Sequence, residues 1–307
     1  MIDGLQAMPK AELHVHLEGS IEAEALIEIE PALTRDEIAA NTVFDTFEGF
    51  LRSYIWVNSK LKTPEHYAIV TRCMLERFRQ QGIGYAEVTL SAGMVLWKEQ
   101  SLAEVYDAVR RESLRSQVEV CWIPDAIRHF GPELGMEVAK FAVSRKDDGV
   151  IAFGIGGDEV RGPAEWFRDV FAYARDNGLQ LVCHAGDTAG PESVWAALEI
   201  GAERIGHGIA AARDPRLMAH LRDRNVPLEV CITSNVRTGA VQTLGEHPIR
   251  ALYDAGVPIT LNTDDPALFG TTLAAEFQIA EREFGFAATE LKGIVENAFT
   301  YRFAAVK

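Results

Sequence analysis

Short runs of β-branched and other apolar residues recur along the chain, and each reads as a strand: 11–17 (AELHVHL), 84–90 (GYAEVTL), 118–123 (VEVCWI), 149–155 (GVIAFGI), 179–184 (LQLVCH), 203–207 (ERIGH), 227–232 (PLEVCI) and 257–262 (VPITLN). Between most of them lie amphipathic segments with helix-start signals: Ser101 before LAEVYDAVRRESL, Gly162-Pro163 before AEWFRDVFAYARD, Gly190-Pro191 before ESVWAALEIG, and Asp214-Pro215 before RLMAHLRDR. This alternation predicts parallel pairing, because a parallel neighbour needs a crossover long enough to hold a helix. Eight such units point to an α/β fold, a (β/α)8 TIM-type barrel. A doubly wound open sheet shares the alternation, and periodicity alone does not separate the two. No linker, low-complexity tract or repeat interrupts the chain, so residues 1–307 read as a single barrel domain. The first connection, 20–83, is oversized and is expected to be a helical insertion after the first strand. Within it, 44–58 (FDTFEGFLRSYIWVN) sets Phe47, Phe50, Leu51 and Tyr54 on one helical face. That stripe either packs into the core or roofs the barrel mouth and offers an apolar wall to a flat ligand.

Composition narrows the partners. The 307 residues are 48% apolar and 24% charged, enough for a large core, and 30 Lys+Arg against 45 Asp+Glu leave a formal net charge of −15. That balance is opposite to the footprint of a nucleic-acid or anionic-membrane binder. No stretch approaches the ~18 unbroken apolar residues of a membrane helix. The opening Met1-Ile2-Asp3-Gly4 has neither a basic nor an apolar leader region, so a soluble, cytoplasmic protein is expected. Cys73, Cys121, Cys183 and Cys231 stand singly without a CxxC pair, which suits a reducing compartment. Nothing in the sequence sets an oligomeric state.

Barrel enzymes build their sites at the C-terminal ends of strands, and four of these ends carry metal-binding or proton-transferring side chains. The first holds His14-Val15-His16, two imidazoles that alternation puts on one side; the fifth ends in His184-Ala185-Gly186-Asp187, the sixth in His207, and the eighth in Asp264-Asp265-Pro266. Singly, each has an ordinary explanation: an edge HxH, a buried imidazole, a turn between glycines, an Asx turn or helix cap. One metal site explains all four together. His14, His16, His184 and one carboxylate supply nitrogen and oxygen donors that suit a single Zn²⁺ ion, with iron, cobalt or manganese as substitutes. His207, unperturbed near ~6.5, can take a proton from a water activated by that ion. Asp187 can act as a further acid, and Gly156-Gly157 permits close backbone approach to a ligand. Metal-assisted hydrolysis is the expected reaction class. His66, His129, His220 and His247 lie in or beside predicted helices and connections and are assigned no role.

These residues resemble the adenosine deaminase family of the amidohydrolase superfamily, through PKAELHVHLEGS (9–20), GYAEV (84–88), GIGGDE (154–159), HAGDTAGPESVWAAL (184–198), ERIGHG (203–208), PLEVCITSN (227–235) and NTDDPALFGT (262–271). The resemblance implies a one-zinc barrel that exchanges the 6-amino group of a purine for oxygen and releases ammonia. It implies zinc ligation by His14, His16, His184 and Asp264, with His207 as the base. It also implies that Asp265 orients the purine through a ring nitrogen and that the Gly157 region meets the base. Glu18 stands where many adenosine deaminases have an aspartate that contacts the ribose, a change that permits a different 5′ substituent. Members acting on free adenine usually have DHG where this chain has Gly206-His207-Gly208, so the nucleoside branch fits better. The family's HAGE is HAGD here. Asp187 keeps the carboxyl on an arm shorter by roughly 1.5 Å.

The expected reaction is therefore deamination of adenosine or 2′-deoxyadenosine, with a small-molecule purine nucleoside as partner. Aminodeoxyfutalosine, an adenosine-like intermediate of menaquinone synthesis, is the alternative substrate. Two further alternatives are an amide or ester hydrolase using the same metal, and a degenerate barrel that binds a nucleoside with little turnover because of Asp187.

Overall fold

The computed structural model describes residues 8–303. Eight strands, β1 (Lys10–His16), β2 (Ile83–Leu90), β3 (Glu119–Ile127), β4 (Ala152–Gly156), β5 (Gln180–Ala185), β6 (Arg204–His207), β7 (Leu228–Val230) and β8 (Ile259–Leu261), pair in parallel and in chain order. The ring closes where β1 meets the residues just past β8. Val15 bridges Asp264, His16 N donates to Asp264 O at 2.8 Å, and Asp264 N donates to His14 O at 3.0 Å. Helices lie between the strands, and the fold is a (β/α)8 TIM barrel rather than an open sheet.

Both faces of the strands are covered, which is why they read as nearly continuous apolar runs. Ala11, Leu13, Tyr85, Cys121, Ile123, Ala152 and Val182 fill the interior, and a larger cluster joins the sheet to the helices outside. The helix-start signals act as expected. Asp214 accepts from Arg216 N at 2.9 Å ahead of the helix Pro215–Arg224, and Pro191 opens Pro191–Glu199. β3 runs past the expected 118–123. Pro124 ends the pairing with β2 and Asp125 begins the pairing with β4, so the missing N–H falls where the strand changes partner. β7 is shorter than 227–232, because Ile232 already starts a helix, Ile232–Arg237.

The connection after β1 holds the helices Ala23–Ile29, Arg35–Thr42, Phe47–Lys60 and Pro64–Gln80. Phe50 stacks on Phe269 with centroids 5.1 Å apart; Phe269 ends the short helix Pro266–Phe269 that follows Asp265. Tyr54, one turn beyond Phe50, is partly buried against the core. Phe47 touches Phe50 at 6.1 Å, and Leu51 is half-buried. Among the described residues no helix is long and apolar enough to cross a membrane.

Candidate active site

The chemistry-bearing residues converge at the C-terminal end of the barrel. His14 and His16 are 3% and 8% exposed, so their imidazoles must find partners inside. His14 Nδ1 lies 2.7 Å from Glu229 Oε2, and His184 Nδ1 lies 3.0 Å from the Ile155 carbonyl. Both partners are acceptors, so each Nδ1 carries its hydrogen and each Nε2 is left with a lone pair. Those lone pairs meet other acceptors. His16 Nε2 is 3.1 Å from His184 Nε2 and 3.2 Å from Asp264 Oδ1, and His14 Nε2 is 3.5 Å from the same oxygen without any hydrogen-bond partner. Ligand atoms of His14, His184, His207 and Asp264 all fall within 4.8 Å of one another. Lone pairs crowded together without donors are what a cation requires, and three imidazoles with a carboxylate fit Zn²⁺.

The carboxylates around the cluster call for positive charge. Burial works against a charge on His14, but Asp264 and Glu229 outweigh it and hold the imidazole up at about 10, so in the absence of a cation a proton on Nε2 facing Asp264 takes that place. Burial, aided by neighbouring imidazoles, pushes His16 down to about 4 and His184 well below the usual value. Asp264, despite burial, is held well below the carboxylate range by the surrounding histidines. Burial and then the charge of Asp264 push Asp265 well above that range, and burial leads in raising Asp187.

Local backbone serves this packing. His207 and Asp264 adopt φ of +61° and +63°, left-handed conformations that non-glycine residues seldom take outside functional turns. A Cβ on Gly206 would lie 2.8 Å from His14 Cε1, and one on Gly19 would lie 1.7 Å from Asp265 Oδ1, so glycine is needed at both. Glu18 is fully buried, accepts from Ser91 N at 3.1 Å, and is raised to about 7, chiefly by burial. Gly157 has φ +94° and sits beside His129, whose Nδ1 would be 3.2 Å from a Cβ there.

Four contributors escaped the sequence reading. Glu229 orients His14 and also accepts from Arg204 Nε at 2.6 Å; an acid at a buried position of β7 was its signal. Ser234 donates to Asp264 Oδ2 at 2.6 Å. Asn235, 0% exposed, donates from its amide nitrogen to Asp187 Oδ1 at 2.7 Å, and the second N–H of that amide faces His207 Nδ1 at 3.2 Å. Glu159 accepts from the backbone N–H groups of Gly186, Asp187 and Thr188 at 2.7, 2.9 and 2.8 Å and from the Ser193 hydroxyl. Glu159 therefore ties down the loop that bears Asp187. All four stand within motifs already noted, but contacts across the mouth leave no trace in local periodicity.

Fold and site together define a barrel hydrolase of the amidohydrolase superfamily. The family model described as adenosine deaminase matches residues 9–307. An aminodeoxyfutalosine deaminase of Acidothermus cellulolyticus is 38% identical over 297 residues, covering 91% of this chain and 83% of that protein. An adenosine deaminase of Pectobacterium atrosepticum is 31% identical over 313 residues, covering 96% and 93%. The crystal structure of an adenine deaminase from Arthrobacter aurescens superposes with a TM-score of 0.89 at 27% identity, covering 98% and 95%. The chain belongs to the adenosine deaminase family and is a hydrolytic deaminase.

Proposed function

We propose that the protein carries out zinc-dependent hydrolytic deamination of a 6-aminopurine ribonucleoside in the cytoplasm, with aminodeoxyfutalosine as substrate. Adenosine or 2′-deoxyadenosine is the second reading. The observation that carries the reaction is the cluster of His14, His184, His207 and Asp264, whose ligand atoms lie within 4.8 Å of one another, with His16 Nε2 against His184 and Asp264 at 3.1 and 3.2 Å and Asp187 reached through Asn235. The substrate order rests on the 38% identity to the aminodeoxyfutalosine deaminase against 31% to the adenosine deaminase.

His14, His16, His184 and Asp264 would hold one zinc ion. Bound there, zinc supplies Lewis-acid activation of water, whose pKa it lowers from ~15.7 towards 7. His207, with Nε2 3.9 Å from Asp264 Oδ2, accepts the proton released as the C6–O bond forms, and that proton passes to the 6-amino group as the C6–N bond breaks and ammonia leaves. Burial raises Asp187, which favours its acid form at the purine edge, where it would donate a proton to the ring nitrogen beside C6. Asp265, raised by burial and by the charge of Asp264, would donate to a ring nitrogen on the other side, while the histidines favour an ionised Asp264. Gly157 meets the base through its backbone, and Glu18 faces the sugar. Phe50, flanked by Phe47 and Leu51, forms the apolar wall.

Zinc-loaded protein is incubated with each nucleoside and ammonia is measured. Release from both, with the larger specificity constant for aminodeoxyfutalosine, is expected. Silence toward every aminopurine nucleoside contradicts the proposal. Asn235 already grips the shortened Asp187, so Asp187→Glu is expected not to raise the rate. A sharp rise would mark the wild-type protein as the handicapped binder instead.

A further inference from the structure

We propose that Asp125 is a substrate-binding residue that accepts a hydrogen bond from an N–H or O–H of the nucleoside, an assignment that rests on the nucleoside reading above. Asp125 lies on β3 with its Cα paired to Gly154. Strand alternation turns it to the same side as Ile123, which belongs to the interior cluster with Val182. β4 supplies only glycines beside it. A Cβ on Gly154 would fall 3.2 Å from Asp125 Oδ1, and one on Gly156 would fall 3.1 Å from Oδ2 and 3.2 Å from His184 Nδ1. The carboxylate thus takes up the space next to the His184 ring that side chains from β4 would otherwise fill.

Asp125 is 2% exposed, and its Oδ1 has no hydrogen-bond partner. Arg128 lends its charge but donates from Nη2 to the His184 carbonyl at 2.6 Å. An unpaired buried carboxylate oxygen costs free energy, and at the mouth of an active site the ligand can supply the missing donor. Other carboxylates around the mouth are already engaged: Glu18 by Ser91 N, Asp187 by Asn235, and Asp264 by Ser234. Asp265 Oδ1 is likewise unpaired, but Asp265 is assigned above as a donor to the purine ring. Asp125 Oδ1, reached from β3, is left as an acceptor for a ligand that brings a donor of its own. A 6-aminopurine nucleoside has such donors in its exocyclic amine and its sugar hydroxyls.

The test uses zinc-loaded Asp125→Asn and Asp125→Ala. Metal content and melting temperature should match wild type, while kcat/KM and affinity for the deaminated product nucleoside fall by ~3- to 10-fold in Asp125→Ala, the range for a hydrogen bond to a neutral group, and by less in Asp125→Asn, which keeps an acceptor oxygen. Substrates lacking the 2′ or 3′ hydroxyl, and a 6-chloropurine nucleoside lacking the amine, identify the donor: the penalty of Asp125→Ala vanishes for the analogue without it. Active wild type with unchanged Asp125→Ala overturns the assignment alone, as does loss of metal from the variant. Wild type that neither binds nor deaminates any purine nucleoside overturns the parent reading and this assignment with it.

Discussion

Asn235 stands between two side chains that the proposed chemistry asks to move protons. It donates to Asp187 Oδ1 at 2.7 Å and faces His207 Nδ1 at 3.2 Å, while its own Oδ1 meets His247 Nε2 at 3.1 Å. An aspartate with roughly 1.5 Å less reach than a glutamate depends more on being aimed, and misplacement by ~1 Å can cost on the order of 10²-fold in rate. Asn235→Ala is expected to lower kcat by about that factor. KM and metal content should stay near wild type, because neither the proposed ligands nor the proposed apolar wall is touched. Steady-state kinetics with parallel metal analysis check this, and an unaltered kcat would remove Asn235 from the account. His247, given no role from sequence because it lies outside the strands, proves to be buried and to brace this asparagine.

At the scale of elements, the strand ends do the assembling. β6 reaches His207 through Gly206, and only a glycine leaves room there for the His14 ring. Gly206→Ala is therefore expected to displace His14 and cost the protein most of its metal while circular dichroism remains that of a folded barrel. Retention of a full complement of metal would show that the ring can yield. All eight strands and the order of the site histidines were legible in the sequence, because buried parallel strands are apolar runs and the intervening helices carry proline and aspartate start signals. Two boundaries were not. Pro124 read as a strand end, although a proline is tolerated where a strand changes partner, and this put Asp125 outside the strand that aims it. The run through Ile232 read as strand, although that residue opens a helix, which hid the placement of Ser234 and Asn235. Glu229 went unassigned for a different reason. Its partners His14 and Arg204 are distant in sequence, and an acid that orients a histidine looks like any buried acid until the barrel closes.

Across the whole molecule, charge is buried in layers. Arg204, 1% exposed, donates to Glu87 and Glu229 at 2.5 and 2.6 Å and lies 3.7 Å from the Phe303 ring, so an ion-pair network beneath the site leads through Glu229 to His14. Outside this network sits Glu12, fully buried, accepting from Thr263 N at 2.9 Å. Burial above all, opposed by the Thr263 amide and His14, lifts its carboxyl from 4.5 to about 8. Between those values the native state keeps a proton that the unfolded chain has released. Stability from this group is therefore full below the lower value and is lost as pH rises through the upper one. Glu18 and Asp125, raised to about 7 and about 8, chiefly by burial, act with the same sign. The melting temperature of metal-free protein should fall as pH rises from about 5 to about 8, and Glu12→Gln should fall less steeply. Parallel curves for the two proteins would contradict this.

The central claim is that four side chains from β1, β5 and the turn after β8 hold one catalytic cation. Elemental analysis of the purified protein, before and after chelation and after zinc is restored, with ammonia release followed in each state, tests it most directly. About one equivalent of metal per chain is expected, with activity lost on chelation and regained with zinc. Protein that deaminates a nucleoside equally well without metal would contradict the account.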